Sequence, residues 1–573
     1  MLLVNNKIAV AALSMAMIGP IYSTAAATET PILAETVEAG AIEPAKPGGF
    51  AVALRDSGAD GEILGHYETA EYPRIWTSAD GDARRAEALL AALRDVEKHA
   101  LPTETYDIAR LEALLAAAIE SPAKAAAAEV ALTKAFLTYA RAINSGVLEP
   151  RRIDRDLHVF PTRPEPADLL SGAAASRDMS AFLADLAPKH PHYAVLTEEL
   201  ARLNVLGEDA WGGEVASGGS IRLGERGARV EAIRERLAAL GDYDPSSLAP
   251  DADSAVYDEG LEAAVLVFQH RHGLNDDGII GRRTVDALNR SADYRAGQIV
   301  VNLERLRWMN RDLGARHVFV NQADYTVQVI ENGLKLFDQR VVIGQAREHR
   351  TPEFSDEMTH LVFNPTWHVP YSIASKEILP ELQADPDYLN KKNMRLLTRG
   401  GEEVNTSTFV NTDAAYDEQT EAQSGIDWSL YTASDFPFLI KQRPGGGNSL
   451  GLVKFMFPNQ FNIYLHDTPS KRLFAKDARA FSHGCVRVQD PMELARVLLA
   501  PQAEDAPAYI QRILGRDKER RVNLEQPVPV HLTYRTAWID EAGVRHYRAD
   551  IYGRDRRILA ALKSAGVMAG PDS

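Results

Sequence analysis

A chain of 573 residues exceeds what one hydrophobic core holds, so several domains of about 100–200 residues each are expected. Hydrophobic residues at 45% and charged residues at 25% give the balance of a soluble globular protein. The formal net charge of -17 argues against nucleic-acid binding, because phosphate backbones attract clusters of Lys and Arg.

Lys7 is the lone charge ahead of an apolar run from Ile8 to Ile18. Gly19-Pro20 then breaks any helix, and Ala25-Ala26-Ala27 offers small residues for cleavage. This is the pattern of a removable export signal over residues 1–27. The run falls short of the roughly 20 apolar residues that span a bilayer. An uncleaved anchor is the alternative, and the Ala-rich site counts against it. No later segment has transmembrane character. Residues 28–60 are expected to form a flexible leader, rich at first in Ala, Glu, Pro and Thr.

Helical signals dominate residues 61–215. Leu89, Leu93 and Val96 share one face, and Val130 to Ile143 repeats the pattern with Phe136, Leu137 and Tyr139 before Ser145-Gly146 ends it. An Ala-rich amphipathic bundle of this kind reads as a helical scaffold domain. A compact unit follows at 220–290. Val230, Ile233, Leu237 and Leu240 mark a first helix, Leu261, Val265 and Phe268 a second, and Arg282 to Leu288 a third. Its words Leu223-Gly224-x-x-Gly227, Ala264-Val265-x-x-Phe268-Gln269 and Asp277-Gly278-x-x-Gly281-x-x-Thr284 resemble the peptidoglycan-binding domain of many wall enzymes. The resemblance implies a module that docks on glycan or peptide, or one that is only structural. A long helix at 295–313, with Ile299, Leu303, Leu306 and Met309 on one face, is expected to return to the helical domain.

From Val318 the apolar period changes to two. Tyr325, Val327 and Val329 alternate with polar positions, Asn332-Gly333 makes a hairpin turn, and Leu336 to Ile343 follows. A mostly-β domain is expected over 316–555, with a tail at 556–573. Within it, residues 376–447 turn helical and polar and end in Pro444-Gly445-Gly446-Gly447. A stretch of this length inside a compact domain points to an inserted subdomain acting as a lid. The fold class is therefore multidomain α+β: a helical scaffold, a small three-helix domain and a mostly-β domain with an inserted lid.

Chemistry concentrates in Ile463-Tyr464-Leu465-His466-Asp467-Thr468 and Ser482-His483-Gly484-Cys485-Val486-Arg487. The first piece reads as a strand from Phe461 to Leu465 that ends at His466. Cys485 is the chain's single cysteine, so no intramolecular disulfide can form. Thiol catalysis needs an ionisable sulfur, a base and donors for an oxyanion. Cys485 supplies the sulfur, and His466 and His483 are the nearby imidazoles. Gly484 permits close approach of the backbone, and Arg487 offers a fixed charge for a substrate carboxylate or for Asp490. His483 reads equally as a packing residue of the turn. Zinc ligation by these residues is the weaker reading, since there is no second cysteine and no helical His pair. His360 and His368 read as ordinary strand residues.

The motif Ser482-His483-Gly484-Cys485-Val486-Arg487, preceded by His466-Asp467-Thr468-Pro469, resembles the L,D-transpeptidase catalytic domain of the YkuD type. Thr351-Pro352 and Asn364-Pro365-Thr366-Trp367-His368-Val369-Pro370 look like earlier strands of that family. The domain order is similar to the large periplasmic YcbB-type members. The resemblance implies Cys485 as nucleophile, His466 as general base, and His483 and Gly484 as residues shaping the thiol site. It implies stem tetrapeptides of peptidoglycan as substrates, 3-3 cross-links as products, sensitivity to carbapenems, and neither metal nor cofactor. Localisation would be exported, periplasmic and wall-associated. Water as acceptor gives an L,D-carboxypeptidase from the same site, and an anchored protein's amine gives attachment to the wall. A non-catalytic wall-binding scaffold is the alternative of another class. Asp467 invites reading as an orienting carboxylate, but neighbouring side chains on a strand point to opposite faces. A backbone carbonyl is expected to hold the imidazole instead.

Overall fold

The computed structural model describes residues 48–77, 83–206, 211–404 and 426–568. The expected export signal and most of the leader lie outside the described residues, as does 405–425 of the expected lid.

The helical domain gathers around Pro122–Ser145. Ser121 caps its first turn by accepting from the Lys124 N–H, Pro122 occupies the first turn where no donor is needed, and Gly146 at φ 94° ends it. Glu129 on this helix is buried, and its carboxylate accepts from the backbone of Ile75, Trp76 and Thr77 and from the Tyr67 and Thr77 hydroxyls. That one side chain ties an otherwise irregular connection to the core. The leader is shorter than expected. Gly49–Arg55 is a helix whose Phe50 and Leu54, four residues apart, are buried in this core.

Ala292–Trp308 packs along Pro191–Leu206, so the helical core draws on residues from both sides of the small domain. The expected C-terminal tail is also corrected. Arg554–Ser564 is a helix that lays Ile558 and Leu562 into the same core, beside the hairpin Ala537–Ile539 and Arg545–Tyr547. Apolar residues at a spacing of four again explain the burial.

The small domain has three α-helices, Ala228–Ala239, Glu259–Arg271 and Arg282–Leu288, around Ile233, Leu237, Val265, Phe268 and Leu288. Gln269 braces its loop, donating to the Ile279 carbonyl and accepting from the Gly278 N–H.

The β domain is a sheet closed on itself. Its closed ring is made of β1 (Arg316–Asn321), β2 (Thr326–Glu331), β3 (Leu334–Gly344), β4 (Phe354–Phe363), β5 (Val453–Met456), β6 (Leu465–His466), β7 (Val486–Val488) and β8 (Arg520–Thr533), and a ninth strand, Ala480–Ser482, pairs with the end of β3. Going round, β3 pairs with β7, then β6, β5, β4, β8, β1 and β2 follow, and β2 pairs back to β3. The long β3 makes closure possible: residues up to Arg340 pair with β2, while Val341 and Val342 pair with β7. Asn332 and Gly333, both at positive φ, form the tight β2–β3 turn that the Asn-Gly pair favours. Closure leaves these strands little free edge, and their inward side chains form one apolar core.

The insertion starts earlier than expected, at the strand Trp367–His368. That strand pairs with Leu439–Gln442, which pairs with Met394–Leu397 and, through it, Glu403–Val404. This cap has its own core of Leu382, Leu389, Trp428 and Phe436, among others.

Candidate active site

The site lies where β5, β6 and β7 run side by side. Leu465 of β6 stands opposite Phe455 on one side and Val486 on the other, and all three are buried in the sheet's core. Alternation then sends their neighbours to the other face. His466 stands between Lys454 and Arg487, and these three residues line one cavity with Tyr464 and Cys485. The cavity measures about 880 Å³ and is roofed by cap residues that include Trp367, Ile373 and Glu377.

The expected strand from Phe461 is shorter, covering only Leu465–His466. Asn459 explains the difference. Its amide donates to the Phe457 and Ile463 carbonyls and its oxygen accepts from the N–H of Phe461 and Ile463, winding the chain into a loop. That loop offers the Asn462 carbonyl to the Cys485 thiol at 3.6 Å.

Backbone geometry places the thiol. Gly484 sits at φ 113°, and a Cβ there would come within 3.0 Å of Ile463. The Ser482 hydroxyl donates to the Cys485 carbonyl at 2.5 Å and accepts from the Gly484 N–H at 3.2 Å. Thr351 donates its hydroxyl to the Gly484 carbonyl at 2.6 Å, and Arg554 in turn donates to the Thr351 carbonyl at 2.8 Å. Arg554 is fully buried and also pairs with Glu353 at 3.1 Å. The C-terminal helix thus reaches the Ser482–Cys485 segment through two hydrogen bonds. The helical domain buttresses it from another side, where the His158 ring packs on Phe461 at 4.3 Å.

His466 is buried, and its Nδ1 lies 2.5 Å from the Asp467 carbonyl. A carbonyl only accepts, so Nδ1 carries the proton and Nε2 keeps its lone pair. Burial, then the charge of Arg487, pulls the imidazole pKa down to about 3. The Asp467 carboxylate is engaged elsewhere. It accepts from the N–H groups of Leu452 and Thr468 and from Lys471 Nζ at 2.8 Å, which holds the turn after the strand. Cys485 is half-buried, and burial pushes its thiol up to about 11 against hydrogen bonds from Tyr464 and the charges of Arg487 and Lys454. The resting pair is therefore a neutral thiol and a neutral imidazole.

Arg487 does not pair with Asp490, which instead caps the helix Pro491–Leu499 by accepting from the Glu493 N–H. Among the described residues Arg487 has no ion-pair partner, and its buried Nε makes no hydrogen bond. His483 lines the cavity with its ring 4.5 Å from that of His349, and its Nε2 meets Glu377 of the cap at 2.6 Å. His360 lies in β4, whereas His368 lines the cavity. Lys454, Tyr464 and Glu377 escaped the sequence reading. Lys454 breaks the apolar run Val453-Lys454-Phe455, and Tyr464 stands two residues before His466, so strand alternation carried a signal for both. Glu377 carried none.

Fold and site together define a multidomain protein with a thiol–imidazole cleft built on a closed β-sheet. Residues 62–200 match the model of a scaffold domain, residues 226–288 that of a "Putative peptidoglycan binding domain", and residues 315–519 that of the L,D-transpeptidase catalytic domain, YkuD. The chain carries a YkuD-type L,D-transpeptidase catalytic domain together with a peptidoglycan-binding domain.

A "Putative L,D-transpeptidase" of Haemophilus influenzae is 32% identical over 244 residues, which cover 43% of this chain and 45% of that protein. The N-acetylmuramoyl-L-alanine amidase CwlM of Mycobacterium tuberculosis is 40% identical over 84 residues, 14% of this chain and 20% of that one. The chain thus spans less than half the length of either curated relative. Crystal structures of L,D-transpeptidases from Xylanimonas cellulosilytica and Stackebrandtia nassauensis align over 56% of this chain, covering 100% and 97% of theirs, at 14% and 13% identity and TM-scores of 0.17 and 0.21. Among the described residues no helix is long and apolar enough to cross a membrane.

Proposed function

We propose that the protein is an exported, periplasmic peptidoglycan L,D-transpeptidase that forms 3-3 cross-links through a Cys485 thioester. The reading rests on one observation above all: Cys485, His466 and Arg487, which has no ion-pair partner among the described residues, line one cavity on and beside adjoining strands. Arg487 holds a carboxylate of the donor stem tetrapeptide. The Cys485 sulfur attacks the carbonyl that precedes the terminal D-alanine, and its proton passes to His466 Nε2. Because both partners start neutral, proton transfer accompanies attack instead of preceding it. The C–N bond then breaks, D-alanine leaves with the proton from His466, and the thioester remains.

An amine of a second stem peptide attacks the thioester carbonyl. Its proton goes to His466 and then to the departing sulfur, which restores the neutral pair. The Gly484 N–H is taken by Ser482, so the oxyanion falls to the Cys485 N–H. Cap residues Trp367, Ile373 and Glu377 line the same cavity, and closure of the cap on the thioester would favour an amine acceptor over water. His483 acts in this scheme by joining motif to cap, not by moving a proton.

The decisive experiment is intact mass of the purified protein after exposure to a carbapenem, wild type beside Cys485→Ala. One covalent adduct on the wild type and none on the variant is the expected result. Absence of an adduct on folded wild type removes the acyl-enzyme and leaves a wall-binding scaffold. Incubation with a disaccharide tetrapeptide then separates acceptors. Cross-linked dimer supports the transpeptidase, and tripeptide alone identifies a carboxypeptidase.

A further inference from the structure

A second cavity, of about 170 Å³, shares no lining residue with the thiol cavity and lies where the small helical domain meets Ala292–Trp308, the β1–β2 turn and the C-terminal hairpin. Its rim is exposed and carries Arg283, Asp286 and Arg290. Its floor is buried and carries His272, Arg295 and Tyr325.

The charge there is unbalanced. Arg283 is paired with Asp477 at 2.7 Å, and Arg548, also in the lining, with Asp324 at 2.5 Å. Arg290 and Arg295 have no carboxylate within ion-pair reach among the described residues. Arg290 lies over the Tyr294 ring at 4.4 Å, and Arg295 is sandwiched by Trp211 at 4.7 Å and Tyr547 at 5.1 Å. Arg295 is 3% exposed and donates to the Ala287 carbonyl at 3.4 Å, and Asp242, the carboxylate whose charge reaches it, is itself paired with Arg271, so the buried cation is only partly balanced. Burial and the nearby Arg271 pull its pKa down to about 9. Two buried polar atoms in the lining residues have no hydrogen-bond partner among the described residues, the Tyr325 hydroxyl and His272 Nε2. His272 Nδ1 lies 2.8 Å from the Phe268 carbonyl, so it carries the ring's proton and Nε2 is an acceptor.

We propose that this cavity binds the free C-terminus of a short peptide, its carboxylate on Arg290 and Arg295 and its N–H toward His272. An inorganic anion matches the guanidinium groups but offers no N–H to the imidazole. An amine offers the N–H but is repelled by the arginines. The peptide carboxyl end has both, and the apolar walls of Leu274, Ala287 and Ile551 suit its side chain. Such a ligand joins the small domain to the sheet, since His272 and Tyr325 belong to different domains.

Calorimetric titration of the full chain tests the assignment. The probes are tripeptides ending in L-alanine or D-alanine carboxylate, the matching C-terminal amides, and inorganic phosphate. The carboxylates are expected to keep one binding site in Arg487→Gln, whose thiol cleft has lost its carboxylate partner, and to bind that site at least tenfold more weakly when Arg290→Gln is added. The amides are expected to lose a similar factor, and Tyr325→Phe to lose a few-fold. Preference for the L or D end tells a protein terminus from a wall peptide. Arg290 is exposed, so its replacement leaves the fold standing where loss of the buried Arg295 could not be trusted to. Equal binding by Arg290→Gln, phosphate binding as tightly as peptide, or no binding by wild type overturns the proposal. Loss of binding in Arg487→Gln but not in Arg290→Gln does so too, by moving the ligand to the thiol cleft.

Discussion

The floor and the roof of the thiol cleft are built by opposite means. The floor is main-chain ladder: His466, Lys454 and Arg487 stand at matched register on three adjacent strands of a closed sheet. The roof is a body with a separate core, entered at Trp367–His368 and held near the motif by the contact of Glu377 with His483. Groups that must keep their geometry sit on paired strands. Groups that would gate access sit on a part whose separate core would let it move without disturbing them. The difference separates chemistry from access, and variants of floor and roof should fail differently.

The largest effect belongs to the floor. Cys485→Ala is expected to lower acyl transfer by at least ~10³-fold with little loss of stability, since the side chain is small and half-buried. Single-turnover acylation followed by mass spectrometry measures it. His466→Ala should cost about 10²–10⁴-fold, the usual range for a general base.

The pH profile of the thiol is sharper still. With the Cys485 pKa raised to about 11, the thiolate fraction rises with pH through the neutral and alkaline range. Alkylation by iodoacetamide should therefore speed up by roughly tenfold per pH unit between about pH 7 and 10. A preformed thiolate–imidazolium pair would react at a flat rate over that range. A flat profile would falsify the neutral resting pair and with it the concerted proton transfer.

Thr351 stands one step back from the floor. Its hydroxyl accepts from the Gly484-facing end of β3, at Gly344 N, and donates to the Gly484 carbonyl. Thr351→Val keeps the shape and removes both bonds, at about 1–3 kcal/mol for the buried groups left unpaired. Acylation is expected to slow by up to roughly tenfold, with the thermal midpoint falling by several degrees. A fall in stability with unchanged acylation would reduce Thr351 to a packing role.

Floor and roof also differ in how far the sequence discloses them. Period-two alternation from Val318 and the Asn332-Gly333 turn announce the sheet, and Ser482 to Arg487 with His466 announce the thiol site. The Asp467 carbonyl follows from the same alternation, because a strand cannot aim two successive side chains at one imidazole. Closure of the sheet was not legible, since it depends on β3 serving two partners along its length. The entry to the cap was missed because Trp367–His368 reads as one more strand of the main sheet, and its partner Leu439–Gln442 is far along the chain. Glu377 was invisible for the same reason: its contact with His483 spans 106 residues. The helices at either end were missed because two or three buried residues in a short segment make a weak period. Phe50 and Leu54 gain their place only once Pro122 and its helix are there to cover them.

The smallest effect belongs to the roof. Glu377 stands in a π-helical turn, Ala374–Ile378, a wide turn that recurs at functional sites. Its bond to His483 is partly exposed, with the glutamate side chain 49% accessible, so water and salt screen it. Glu377→Gln keeps a hydrogen-bond acceptor and removes the charge. Acylation of Cys485 by a carbapenem, which needs no second peptide, should stay within about twofold. Partition of the thioester between amine and water should shift toward water by a few-fold, because a looser cap admits solvent. Raising the salt concentration should bring wild type toward the variant. If acylation falls tenfold while partition stays constant, Glu377 works on the thiol through His483, and the division between floor and roof fails at this contact.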